Sequence, residues 1–198
     1  DTSAPAAPVV NAGNGTQITG TAEAGALVSI DVDGDGTPDY TVTADGAGNW
    51  SITPDTPLAD GVEVTATATD EAGNESAPTA DTVDAAAPAA PVVNAGNGTE
   101  ITGTAEAGAL VSIDIDGDGT PDYTVTADGD GNWSVTPNTP LGDGVEVTAT
   151  ATDEAGNESV LGTDTVDATA PVVTINDVTT NDTTPELTGT VNDPTATV

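Results

Sequence analysis

The sequence predicts an all-β chain of tandem two-layer β-sandwich modules, set end to end as an extended rod. Three observations predict it. Val, Ile and Thr fall in short alternating runs divided by Gly, Pro, Asn and Asp, the pattern of many short strands. Residues 1–83 align with residues 84–166 without a gap, and only 12 of the 83 positions differ, so one unit is used twice in series. The 198 residues include 34 Asp plus Glu but no Lys, Arg or His, a formal charge of −34, so no ion pair between side chains can form.

Within the first unit, seven strands are predicted: 8–11, 17–22, 27–32, 40–44, 50–53, 62–69 and 77–83. The segments between them are turn formers: NAGNGT, EAG, DGDGTP, DGAGN, PDTPLADG and DEAGNE. Alternation is clearest in the sixth strand, where Val62, Val64, Ala66 and Ala68 face inward while Glu63, Thr65, Thr67 and Thr69 face outward. Seven short strands at a spacing of roughly 8–12 residues suggest an immunoglobulin-like sandwich. Trp50 lies on the fifth strand and not the third, and there is no Cys, so the antibody type is excluded. The same reading holds for 84–166. A third unit, 167–198, opens with DATAPVV and then diverges, with candidate strands at 171–176 and 187–191, the truncated start of a different repeat.

Composition also excludes functions. Nucleic acid needs a basic footprint, and anionic lipid would repel this surface. No apolar run approaches the roughly 18–20 residues of a membrane span. Without His, Cys, Lys or Arg only paired carboxylates remain for acid–base chemistry, and here Asp sits in turns, so no enzyme is expected. The natural complement of such a chain is a cation, and metal ions are the simplest.

The strongest motif is DVDGDGTPDY, residues 31–40, repeated as DIDGDGTPDY, residues 114–123. With Asp31 as ligand position 1, Asp33 is 3, Asp35 is 5, Gly36 is 6, Thr37 is 7 and Asp39 is 9. That is the spacing of a calcium loop, with carboxylates at alternate positions, a glycine at the sharp turn and a backbone carbonyl at position 7. Position 12 is Val42, not the Glu of a helix–loop–helix site, so this is a hairpin with the same local chemistry. The second copy comprises Asp114, Asp116, Asp118, Thr120 and Asp122. A plain Asp-Gly hairpin turn is the simpler alternative. Against it, like charges roughly 4 Å apart cost about 1 kcal/mol per pair even in water, and Asn-Gly would turn the chain without that cost. Oxygen-only ligands in a flexible loop favour Ca²⁺.

Strand order puts the linker residue Asp84 among the loops where the two modules meet. An interdomain Ca²⁺ is expected there, held by Asp84 with Asp153 and Glu154 and aided by Asp128. By the 83-residue repeat, Asp1 would serve Asp70 and Glu71, and Asp167 a module beyond. The plainer alternative is a polar linker between solvated loops; the Ala-Pro linker is stiff in either case.

ITGTAEAGALVSID, ADGAGNWSITP, LADGVEVTATATDEAGNES and the leading DTSAP together resemble the bacterial Ig-like tandem repeats of giant type I-secreted (RTX-type) surface adhesins. The resemblance spans both full modules, and the third unit is similar to another subtype in such proteins. It implies an extracellular, cell-surface position in a biofilm adhesin, as a calcium-rigidified stalk projecting a terminal adhesive domain. The partners implied are calcium ions and neighbouring repeats of the same chain. A module that binds carbohydrate, a cell or ice is the alternative, using Trp50 and Trp133 or the hydroxyl face of Thr65, Thr67 and Thr69. A lone Trp beside Ile52 and Val64 reads as core, and one strand of Thr reads as an ordinary solvent face.

Overall fold

The computed structural model describes residues 2–181, 183–186 and 188–192. In the first module the strands are β1 (Val9–Asn11), β2 (Ile18–Thr21), β3 (Leu27–Asp31), β4 (Tyr40–Thr43), β5 (Asn49–Ile52), β6 (Glu63–Thr69) and β7 (Thr79–Thr82). They form two antiparallel sheets, β1-β2-β5 and β4-β3-β6-β7. The second module repeats them as β8 (Val92–Asn94), β9 (Ile101–Thr104), β10 (Leu110–Asp114), β11 (Tyr123–Thr126), β12 (Asn132–Val135), β13 (Glu146–Thr152) and β14 (Gly162–Thr165), in sheets β12-β9-β8 and β11-β10-β13-β14.

All seven strands lie within two residues of the sequence expectation, and proline explains one of the shifts. β1 begins after Pro8, because proline has no N–H to give to a ladder, whereas β7 and β14 begin at matching residues although one follows Pro78 and the other Leu161. The fourth strand pairs with the third, Ile30 opposite Tyr40, instead of joining the fifth as in the antibody constant type. This pairing makes the aspartate segment a hairpin loop between adjacent strands and sets its base.

Each module has its own core, and the two clusters share no residue. In module one Ile18, Val28, Ile30 and Val64 are fully enclosed, each burial contributing about 1.5–3 kcal/mol. Trp50 fills the remaining volume by lying over Gly20, where an added Cβ would come 2.5 Å from the indole ring. The alternation of β6 is as expected, with Val64, Ala66 and Ala68 buried and the intervening threonines half-buried.

In the third unit β15 (Val173–Ile175) pairs with β16 (Gly189–Val191) as a two-stranded sheet. Val173 is 50% exposed and Ile175 71%, so among the described residues this hairpin has no core of its own. Leu187, the first residue of the expected second strand, lies outside the described residues.

Candidate metal site

The loop 31–39 is folded by its own carboxylates. Its base closes where Asp39 N donates to Ile30 O at 2.8 Å. Asp31 Oδ1 accepts from Gly34 N (2.7 Å) and Asp33 N (3.2 Å), and its Oδ2 accepts from Gly36 N (2.9 Å). Asp33 Oδ1 accepts from Asp35 N at 3.1 Å, and Asp35 Oδ1 accepts from Thr37 N at 2.7 Å and from the Thr37 hydroxyl. Asp39 Oδ2 accepts from Val32 N at 2.8 Å. Gly34 (φ 73°) and Gly36 (φ 83°) take left-handed conformations that turn these N–H groups inward. Peptide dipoles thus gather negative charge that would otherwise scatter.

The consequence is a convergent oxygen set. Asp31, Asp33 and Asp39 offer carboxylate oxygens that all lie within 4.8 Å of one another. Oxygens bound to one calcium ion at about 2.3–2.6 Å are at most about 5 Å apart, so this set fits that ion. The second copy has the same scaffold: Gly117 N and Gly119 N donate to Asp114, Asp118 N to Asp116, Thr120 N and its hydroxyl to Asp118, and Ile115 N to Asp122. There the convergent three are Asp114, Asp116 and Asp118. The Thr37 and Thr120 hydroxyls, then their backbone N–H groups, hold Asp35 and Asp118 below the usual carboxylate pKa, so both are anionic at neutral pH.

At the joint the candidate ligands divide into two groups. Asp84 and Glu154 line a common open cleft of about 560 Å³ with Asp81, which the sequence reading did not single out. Asp153 instead closes its own loop, accepting from Asn157 N (2.8 Å) and Asn157 Nδ2 (2.9 Å). Burial alone would raise the Asp153 pKa, but these bonds together hold it low. Asp128 closes another turn, receiving Asn132 N and Asp130 N, which lower its pKa in that order. Asp70 does the same with Asn74, while Glu71 is exposed. Asp167 Oδ1 accepts from Thr169 N at 3.1 Å, and Asp1 lies outside the described residues. Among the described residues, the joint carboxylates form no group of three within 4.8 Å.

The family model described as Bacterial Ig domain matches residues 4–85 and again residues 87–171. This chain belongs to the bacterial Ig domain family. Among solved structures it is similar to a biofilm associated protein, BSP domain, at 23% identity and TM-score 0.38, covering 83% of this chain and 30% of that one. It is also similar to the N-terminal part of the bacterial S-layer protein SbsC, at 17% identity and TM-score 0.42, covering 83% of this chain and 44% of that one. Fibronectin(III)-like modules of Clostridium thermocellum CbhA match at 16% identity and TM-score 0.41, over 80% of this chain and 92% of theirs. The chain thus spans less than a third of the biofilm associated structure and less than half of the S-layer one. No curated protein matches it.

Two other surfaces of these Ig modules were candidates from sequence. Trp50 and Trp133 are each 4% exposed and belong to the cores, so neither offers a ring face for a sugar. Among the described residues, their buried Nε1 atoms have no hydrogen-bond partner. The hydroxyl face is wider than one strand: Thr41, Ser29 and Thr67 stand opposite one another across β4, β3 and β6. In the next rank, Leu27 interrupts the array between Thr43 and Thr69.

Proposed function

We propose that this segment is a structural extender: tandem Ig modules of an extracellular bacterial surface adhesin, stiffened by Ca²⁺ in the two β-hairpin loops. The observation that carries the metal reading is the oxygen set of Asp31, Asp33 and Asp39, assembled by N–H groups of the same loop. Asp35 and the Thr37 carbonyl complete the expected ligands, with Asp114, Asp116, Asp118, Thr120 and Asp122 serving in the second module. Calcium would neutralise charge that the loop concentrates and cross-link the hairpin base. A further ion shared by Asp84 and Glu154 at the joint is part of the same proposal; both residues line one cleft with Asp81. Membership of the bacterial Ig family and repetition in series support a structural role over catalysis. Surface location, type I secretion and a terminal adhesive domain come from the resemblance of the motifs. A ligand-binding hydroxyl face is the weaker alternative, because Leu27 and its counterpart Leu110 break the array.

Calcium titration of the thermal melt tests this reading. An ion that binds only the folded state at a hundredfold excess over Kd adds about 2.7 kcal/mol, a large share of a small module's stability. Calcium is expected to raise Tm by many degrees and chelator to reverse it. The double variant Asp33→Asn with Asp116→Asn should lose most of that response. A melt indifferent to calcium and chelator would remove the metal from the hairpins.

A further inference from the structure

The two modules are so alike that each serves as a control for the other. Gly13 and Asn14, between β1 and β2, are half-buried, while their counterparts Gly96 and Asn97 are exposed. Ala155, between β13 and β14, is half-buried, while its counterpart Ala72 is exposed. These differences mark where the modules cover one another. A Cβ added at Gly13 would lie 3.9 Å from Ala155 O, and one at Gly156 would lie 3.7 Å from Asn14 Nδ2.

Both halves of this contact are built within their own modules. On the first, the linker is pinned by Asp84 N donating to Gly13 O (3.0 Å) and Ala85 N donating to the Asp60 carboxylate (3.0 Å). The same pins hold the next linker, where Asp167 N donates to Gly96 O (2.9 Å) and Ala168 N to Asp143 (3.0 Å). On the second, Asp153 receives both the backbone N–H and the side-chain amide of Asn157, as Asp70 does from Asn74. The remaining amide hydrogen of Asn157 goes to Asp84 O at 2.7 Å. Both partners of that amide are acceptors, so chemistry admits only Nδ2 at this position.

We propose that the 153–157 loop is a cation-independent socket for the Asp84 backbone carbonyl, and that this latch fixes the angle between successive modules. The partner it fits is any preceding module that presents a pinned linker carbonyl. Asp167 offers the same plug and the 70–74 loop the same socket, so the joint is head-to-tail and repeats without closing, as a rod requires. The inference deepens the extender reading and rests on it for its purpose, but its geometry needs no calcium. The acceptor is a main-chain atom, so the latch is separable from any ion held by the Asp84 side chain.

That separation supplies the test. The chain has no cysteine, so spin labels at Ser51→Cys and Ser134→Cys, both exposed, report the distance distribution between modules. In chelator at moderate salt, the otherwise unaltered chain is expected to give one narrow distribution. Asn157→Ala and the isosteric Asn157→Asp should broaden it and add shorter distances, with folding checked by the emission of the buried tryptophans. Asn74→Ala removes the equivalent loop bonds in module one and should leave the distribution unchanged, as should Asp84→Asn. Unchanged distributions in both Asn157 variants would overturn the latch. So would a broad distribution in chelator that narrows with calcium only while Asp84 is intact, since the ion would then set the angle. Neither result bears on the hairpin sites, which the calcium dependence of the melt reads separately.

Discussion

Asp81 lies on β7, in the four-stranded sheet, yet its carboxylate accepts from Ala12 N, just past β1 of the other sheet, at 2.8 Å. Asp164 repeats the bond with Ala95 N at 2.8 Å. Ala12 and Ala95 are fully buried, so each amide would be stranded without its partner. Leaving a buried donor unpaired costs about 1–3 kcal/mol. Asp81→Ala should therefore destabilise module one by about that amount, whereas Asp81→Asn, which keeps an acceptor, should cost less. Module two is the internal reference: module-resolved NMR during urea unfolding should show module one melting first. Simultaneous melting in Asp81→Ala would show that the bond contributes nothing. The tie was legible in part, since Asp81 shares the inward parity of Val83 on a predicted strand. An acid on the inward face asks for a donor, but only the fold shows that Ala12 supplies it.

Among elements, the turns were legible in shape, and their internal hydrogen bonding was not. DGAGN, DEAGN, DGDGN and DEAGN share one pattern, an Asp followed by Gly at the fourth place and Asn at the fifth. In each, the glycine has positive φ and the aspartate accepts from the asparagine N–H. Those carboxylates close their own turns, and among the described residues Asp128 and Asp153 belong to no group of three convergent carboxylates. Strand order puts their loops at the joint, and there charge is visible in a sequence while local hydrogen bonding is not. The strands were legible because alternation fixes their faces and turn formers bound their ends. In the third unit the two candidate strands were legible too: β15 and β16 bury almost nothing, and an isolated two-stranded sheet is marginal in water. Its amides in dilute solution should exchange orders of magnitude faster than those of β6 or β13. Protection equal to those central strands would mean that the hairpin is covered by something in solution.

For the whole molecule, acid sets two electrostatic effects against each other. Protonation relieves the self-repulsion of a chain with formal charge −34, which favours compactness. It also removes the charge from carboxylates that hold the turns. Asp35, Asp45, Asp70, Asp118, Asp128 and Asp153 all have folded pKa values below the ordinary one. A depressed folded value means stability that is present above the unfolded pKa of about 3.9 and lost as pH falls through the folded value. Distance decides between the two effects. Repulsion between loops is screened beyond about 8 Å at physiological salt, whereas hydrogen bonds inside a turn are not. At that salt and in chelator, Tm is therefore expected to hold from neutral pH to about 5 and then to fall through pH 4 and below. At low salt the fall should be shallower, because relief of repulsion then offsets more of it. A Tm that rises on acidification at physiological salt would mean that global repulsion, and not turn closure, governs these modules.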